Sequence, residues 1–515
     1  MILACLFNAG GRRQSQGTHQ RSQGADQGSA SREALQRMIQ GRRSQRADPR
    51  SAGLRAWARR IIPWLGACCF VTAGHAVPVV PGANGHGMET PAGRGGTVYR
   101  VTNLNERGGG SLAACVAARG PRVCVFETSG TLRLNYDLVI DDPFLTIAGQ
   151  TAPAPGIMLR GAALDIRTHD VLVQHLRVRV GDDLSGPSPD NRDALKIEGN
   201  ASGRARNIVI DHCSFSWAID ETATAWDYYD AITFHRNIFA EPLRESLHSN
   251  LGVPGSPGQG FGLLLGTQDA GVTIVGNLFA HIVERNPASR ATRLVFVNNV
   301  VYNRANRDVD LQSQNGRVTR STVMGNVFIR GPDYTRLTRP INLRTDGDLG
   351  LPPGSRVYVR DNIATEINGD PWSGVELLGN VHPPRSALEL AAPLLPLGLR
   401  GASASSVYES VLARAGARPL QRDSVDQRIV QSVRTRTGRI INCVAPNGTV
   451  RCNRNAGGWP TLAVNRRTLT LPADQATLTA SGYTNLEMWL HRMATDLEGL
   501  PPPRYPGMAS APRVQ

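Results

Sequence analysis

Lysine is almost missing from this chain: Lys196 is the only one in 515 residues. The formal net charge of +15 is therefore nearly all arginine, the side chain that grips carboxylate and phosphate in bidentate fashion. That excess suits a polyanionic partner, although a GC-rich genome would also enrich arginine. Charge as a whole is sparse, at 19 % against 41 % apolar residues, which provides for a buried core and argues against wholesale disorder. Long apolar runs are absent too. The run from Ile61 to Ala73 is short and interrupted by Pro63, so it excludes a spanning helix there. The length accommodates one large domain or two or three ordinary ones.

The positive charge is uneven, with twelve arginines against Asp26, Glu33 and Asp48 in residues 1–76. The first fifty residues have no apolar period and read as disordered. Arg55, Arg59 and Arg60, the apolar run and Gly74-His-Ala76 then follow the pattern of a secretory signal peptide. Residues 1–76 are thus expected to be a disordered leader plus signal peptide, and Met38 is a candidate true start. Cysteine usage points the same way. Cys115 and Cys124 are nine apart, as are Cys443 and Cys452, and two close pairs in an exported chain read as local disulfides. Cys213 is left over as a buried thiol, and ligand spacing of the usual zinc kind is lacking.

From Thr97 to about Ala364 a pattern returns: three or so β-formers, a polar pair, then one or two apolar residues. Asn237, Asn277, Asn299, Asn326 and Asn362 occupy one step of it, and His175 and His212 are assigned to the same step in earlier copies. The shortest spacing, Asn277 to Asn299, is 22 residues, about one turn of a parallel β-helix, with longer spacings adding side loops. The expected fold is all-β, a parallel β-helix over residues 77–383. Gly93-Arg-Gly-Gly96 through Gly130 reads as a strand–helix–strand N-terminal cap. Residues 384–515 turn to helical periods and form a C-terminal, mainly helical extension. Its starts are read at Ser406-x-x-Glu409, Asp423 and Thr484-x-x-Glu487.

Gly93-Arg-Gly-Gly96, Val209-Ile-Asp-His212, Ser214-Phe-Ser-Trp217 with Asp220-Glu221, and Arg285-x-Pro287-x-x-Arg290 together resemble the pectate lyase family, polysaccharide lyase family 1. Gly457-Gly-Trp-Pro460 and Gly482-Tyr-Thr-Asn-Leu-Glu487 resemble the tail of secreted bacterial members. The resemblance implies a right-handed β-helix, Ca²⁺ and β-elimination of polygalacturonate. It implies Arg285 as catalytic base, Arg290 as the substrate-carboxylate ligand, and Asp193, Asp220 and Glu221 as metal ligands, since Ca²⁺ takes six to eight oxygens. Two departures stand out. A further Asp expected in the family falls at Thr224, and a substrate-side lysine is replaced, on this reading, by Arg244 or His248. Asp211 and His212 read as structural, and His281 is left open.

The implied partner is an acidic plant-type polysaccharide, met by a secreted or periplasmic monomer without nucleic-acid binding or stable membrane association. The rival readings are a glycoside hydrolase using paired carboxylates and a non-catalytic polysaccharide-binding β-helix. Adjacent Asp220 and Glu221 would face opposite ways in a strand, which counts against a hydrolase pair.

Overall fold

The computed structural model describes residues 77–250, 258–335, 338–446 and 452–500. The expected leader and signal peptide lie outside these residues. Short strands alternate through three parallel sheets, of ten, eight and nine strands. The first runs from Thr97–Val101 to Arg356–Arg360, the second from Gly130–Arg133 to Val327–Ile329, and the third from Leu138–Ile140 to Val375–Leu378. Each strand pairs with its counterpart one coil later, as when Ile208–Asp211 pairs with Ile232–His235 and Ile232–His235 with Val272–Val275. This is a right-handed parallel β-helix.

Inward side chains stack from coil to coil. Phe215, Phe239 and Phe279 form one such column, with ring centroids 5.4 and 5.0 Å apart. Asparagine forms another. Asn237 Nδ2 donates to Asn277 Oδ1 at 3.0 Å, Asn277 to Asn299 at 3.0 Å, Asn299 to Asn326 at 3.1 Å and Asn326 to Asn362 at 3.0 Å. Every one of these amides is buried, and each also donates to a main-chain carbonyl such as Phe234 O, so the polar column is satisfied.

The two histidines do not belong to that column. Asp211 pairs with Gln174 and His235, which aligns His212 with His175 and Arg236, and Cys213 with Asn237. Cys213 N accordingly donates to Asn237 Oδ1 at 2.8 Å. His175 and His212 sit one residue ahead, on the corner, in left-handed backbone at φ 56° and 48°. Gly276, Asn298, Gly325 and Asp361 continue that corner at φ 73°, 56°, 65° and 50°. A slip of one residue exchanges the inward for the outward face.

The cap contains a short helix α1 (Leu112–Val116) between its two strands, and Cys115 is bridged to Cys124. Gly93 meets the cap so closely that an added Cβ would lie 2.2 Å from Arg122 O. The C-terminal part holds α2 (Arg385–Leu388), α3 (Ala404–Arg414), α4 (Ser424–Thr435) and α5 (Asn485–Glu498). Asp423 caps α4, and Thr484 with Glu487 forms a capping box on α5. Helix α3 begins earlier than the Ser406 motif suggests, with Ser403 at its N-cap; Ser406 lies inside and its hydroxyl donates to Ser403 O.

These helices have no core of their own. Val407, Val411, Ile429 and Val433 join Ile238, Leu278 and Val300 of the second sheet, while Leu486 and Leu490 pack on Val123 and Val125 of the first. Buried Arg179 pairs with Asp423 and Asp426 at 2.5 and 2.7 Å, which fixes where α4 lies. Cys443 and Cys452 are bridged and Cys213 is a buried thiol. No helix among the described residues is long and apolar enough to cross a membrane.

Candidate active site

Three carboxylates converge on the third sheet. Asp193 precedes the strand Leu195–Ile197, and one coil on Asp220 immediately precedes, and Glu221 begins, the strand Glu221–Ala225. One ligand oxygen from each lies within 4.8 Å of the others. Asp220 sits in a bend before the strand proper, so strand alternation has not begun and the two neighbours converge. The expectation that they face apart is corrected on this point. Buried Asp193 accepts from Glu221 N at 3.1 Å and from Thr224 Oγ1 at 2.6 Å. Thr224, at the place of the missing Asp, therefore orients an acid already present.

Burial and the Glu221 charge push Asp193 up to about 8. Burial, Glu221 and Asp193 push Asp220 up to about 9. Such crowding is unfavourable unless a cation joins it. Hard, oxygen-only donors of this kind fit Ca²⁺, so the residues present suit the expected metal. They line a cavity of about 370 Å³ together with Lys196, Thr224 and Trp226. Lys196 Nζ is itself held by Asp137 at 2.5 Å.

The two arginines of Arg285-x-Pro287-x-x-Arg290 reach the same face. Arg285 has left-handed backbone at φ 68°, its guanidinium lies 3.8 Å over the Phe261 ring, and Nη1 touches Glu221 Oε1. Gly262 makes the approach possible, because a Cβ there would come within 2.3 Å of Arg285 O. Arg290 donates to Gln312 Oε1 at 3.0 Å and Gln314 Oε1 at 3.3 Å, and lies 5.4 Å from the Trp226 ring. Burial, then Arg285 and Arg344, push the Arg290 guanidinium below its ordinary value.

His248 joins the acids, with Nε2 3.7 Å from Asp220 and Nδ1 3.5 Å from Asp190. Arg244 lies earlier on the same segment, where its N–H donates to Ile441 O at 2.9 Å and its carbonyl accepts from Gln259 N at 2.7 Å. Of the residues left open, His281 is buried and wholly engaged: Nε2 meets Ser432 Oγ at 2.7 Å and Nδ1 meets Asn303 Nδ2 at 2.9 Å. It is structural and drops out as a base. Asp211 is buried under three donors, from His212 at 2.8 Å, His235 at 2.6 Å and Gln174 at 2.8 Å. Burial holds the neighbouring imidazoles neutral, His175 down to about 3 and His235 down to about 4.

Sequence reasoning missed Trp226, Phe261 and Gln312. Register would have found two of them: Thr224, Leu264, Ala288 and Asp310 share one outward column, and Trp226, Arg290 and Gln312 each follow it by two residues on the same face, whereas Phe261 pairs with Glu221.

No family model matches the chain. A protein of Aspergillus flavus bearing the name "Probable pectate lyase C" is 30 % identical over 449 residues, covering 84 % of this chain and 98 % of its own. Its namesake in Aspergillus fumigatus is 30 % identical over 439 residues, covering 82 % and 96 %. Among solved structures, "Pectate lyase bound to hexasaccharide" aligns with 67 % of this chain and 99 % of its own at 13 % identity and a TM-score of 0.45.

Proposed function

The chain belongs to the pectate lyase family, and from that premise we propose that it cleaves polygalacturonate by Ca²⁺-assisted β-elimination. The observation that carries this reading is the meeting of Asp193, Asp220 and Glu221 with Arg285 and Arg290 on one sheet face. The reaction removes the C5 proton of a uronate and expels the O4 substituent. Ca²⁺ held by Asp193, Asp220 and Glu221 would supply positive charge to the uronate carboxylate, easing enediolate formation. Arg290, fixed by Gln312 and Gln314, would hold that carboxylate in bidentate fashion. His248, beside Asp220, and Arg244 earlier on the same segment would bind a neighbouring uronate.

Arg285 takes the C5 proton. In this structure its guanidinium is in contact with Glu221, and an opposite charge favours the charged form. Base action therefore requires Glu221 to turn toward a bound cation, leaving Arg285 against the Phe261 ring with Arg290 nearby. Substrate and metal would thus assemble the base together. A polymeric substrate and the two disulfides support action outside the cell or in the periplasm.

The test is absorbance of the unsaturated uronide formed from polygalacturonate, with and without chelator. The expected result is a rising signal that chelator abolishes and Ca²⁺ restores. Chain cleavage without the double bond would mean hydrolysis, and binding without cleavage would mean a non-catalytic β-helix.

A further inference from the structure

On the first sheet, at the corner where α5 ends, lies a second polyvalent cluster that the lyase reaction does not use. His175, Asp211 and His212 each offer a ligand atom, all within 4.8 Å of one another. Glu498, the last residue of α5, brings Oε1 to 3.9 Å from His175 Nε2 and 3.6 Å from His212 Nδ1. Four donors around a cation bound at about 2.0–2.2 Å stand roughly 3.4 Å apart, so these gaps are near those of a closed tetrahedral site.

We propose that His175, Asp211, His212 and Glu498 form a second metal site, of nitrogen–oxygen type and suited to Zn²⁺, that ties α5 to the β-helix. A buried orphan nitrogen points to a missing ligand. His175 Nδ1 donates to Ala417 O at 2.7 Å, which leaves the lone pair on Nε2. That Nε2 is buried without a hydrogen-bond partner and faces Glu498 Oε1 at 3.9 Å. Buried polar atoms are rarely left so.

The outer partners are also in place. His235 Nδ1 and Gln174 Nε2 donate to Asp211, and Arg236 Nη1 reaches Glu498 Oε2 at 3.3 Å. Ligating groups in metal sites are held in this way by a second layer of donors and acceptors. A cation on His212 Nδ1 would require the proton that Nδ1 donates to Asp211 to pass to Nε2, so that the ring binds as a neutral imidazole. A cavity of about 260 Å³ bordered by His212, His235 and Glu498 gives access. Mixed imidazole and carboxylate donors prefer Zn²⁺, whereas the all-oxygen cluster on the third sheet prefers Ca²⁺. The two sites thus sort the two cations.

The experiment uses the full chain, stripped of metal and then titrated with Zn²⁺ in excess Ca²⁺. The expected result is one Zn²⁺ bound per chain, with a raised melting temperature. Asp220→Asn should leave this unchanged. Glu498→Ala should lose stoichiometric zinc, and His235→Phe should bind about 10–100-fold more weakly. Should these variants not fold, a zinc-edge anomalous map of the unaltered protein decides. A peak between His175 Nε2 and Glu498 supports the site. Its absence, sub-stoichiometric zinc, or unchanged binding in folded Glu498→Ala overturns it.

Discussion

Asp220→Asn should have opposite effects on stability and activity. In the metal-free protein Asp220 faces Glu221 and Asp193 with ligand oxygens within 4.8 Å. An ionised pair at that distance would repel by about 3 kcal/mol at an effective dielectric of about 20, which the folded chain relieves only by holding a proton that the unfolded chain has lost. Asp220 is 20 % exposed, and screening reduces the expected gain on neutralising it to about 1–2 kcal/mol. The substitution should therefore raise the melting temperature in chelator while abolishing both Ca²⁺ stabilisation and lyase activity. The effect has a pH window. Unfolded aspartates lose their protons near about pH 4, whereas burial and Glu221 hold Asp193 protonated up to about 8, and burial, Glu221 and Asp193 hold Asp220 up to about 9. The metal-free fold is thus most stable below about pH 4 with respect to these groups and loses that stability as pH rises toward 8–9. Lys196, His248 and Arg285 are the cationic or titratable neighbours facing the pair. Differential scanning in chelator at pH 5 and pH 8.5 measures this. An Asp220→Asn protein that melts lower than the parent in chelator at pH 8.5 would refute the reasoning.

Other expectations concern the scaffold and the groove. Asn277→Leu strips the amide that Asn237 N and Phe234 O rely on and should cost about 2–5 kcal/mol, read from denaturant midpoints. Arg290→Lys should raise KM more than it lowers kcat, because it loses the bidentate fork and the Gln312 and Gln314 anchors. Trp226→Ala should likewise raise KM, and steady-state kinetics in saturating Ca²⁺ separates both from loss of metal. Non-reducing peptide mapping should link Cys115 to Cys124 and Cys443 to Cys452, leaving Cys213 as a thiol; a linked Cys213 would break that scheme.

The asparagine column was legible because a polar residue recurring inside apolar beats has nowhere to be satisfied except its own copies. His175 and His212 were misplaced by one residue, since the corner that carries them differs from the inward step only in register. Asp423 and Thr484 announced their helices through capping chemistry. Ser406 mimicked the same signal from inside a helix that Ser403 begins. Asp193, Asp220 and Glu221 were found through family resemblance, but their convergence depends on a bend that alternation rules do not describe. The contact between Glu221 and Arg285 spans 64 residues and became visible only once the coils were stacked. Trp226 reads in sequence as one more apolar beat, and its place on the groove follows from pairing alone.

The most direct test of the account is the unsaturated-product rate of Arg285→Lys and Arg285→Ala enzymes at saturating polygalacturonate and Ca²⁺. Lysine keeps the charge but not the reach across Phe261, so both should retain substrate binding while kcat falls by about 10²–10⁴, the usual loss for a general base. An Arg285→Ala enzyme within a few-fold of the parent would contradict the account and move the base elsewhere, with His248 beside Asp220 the next residue to change.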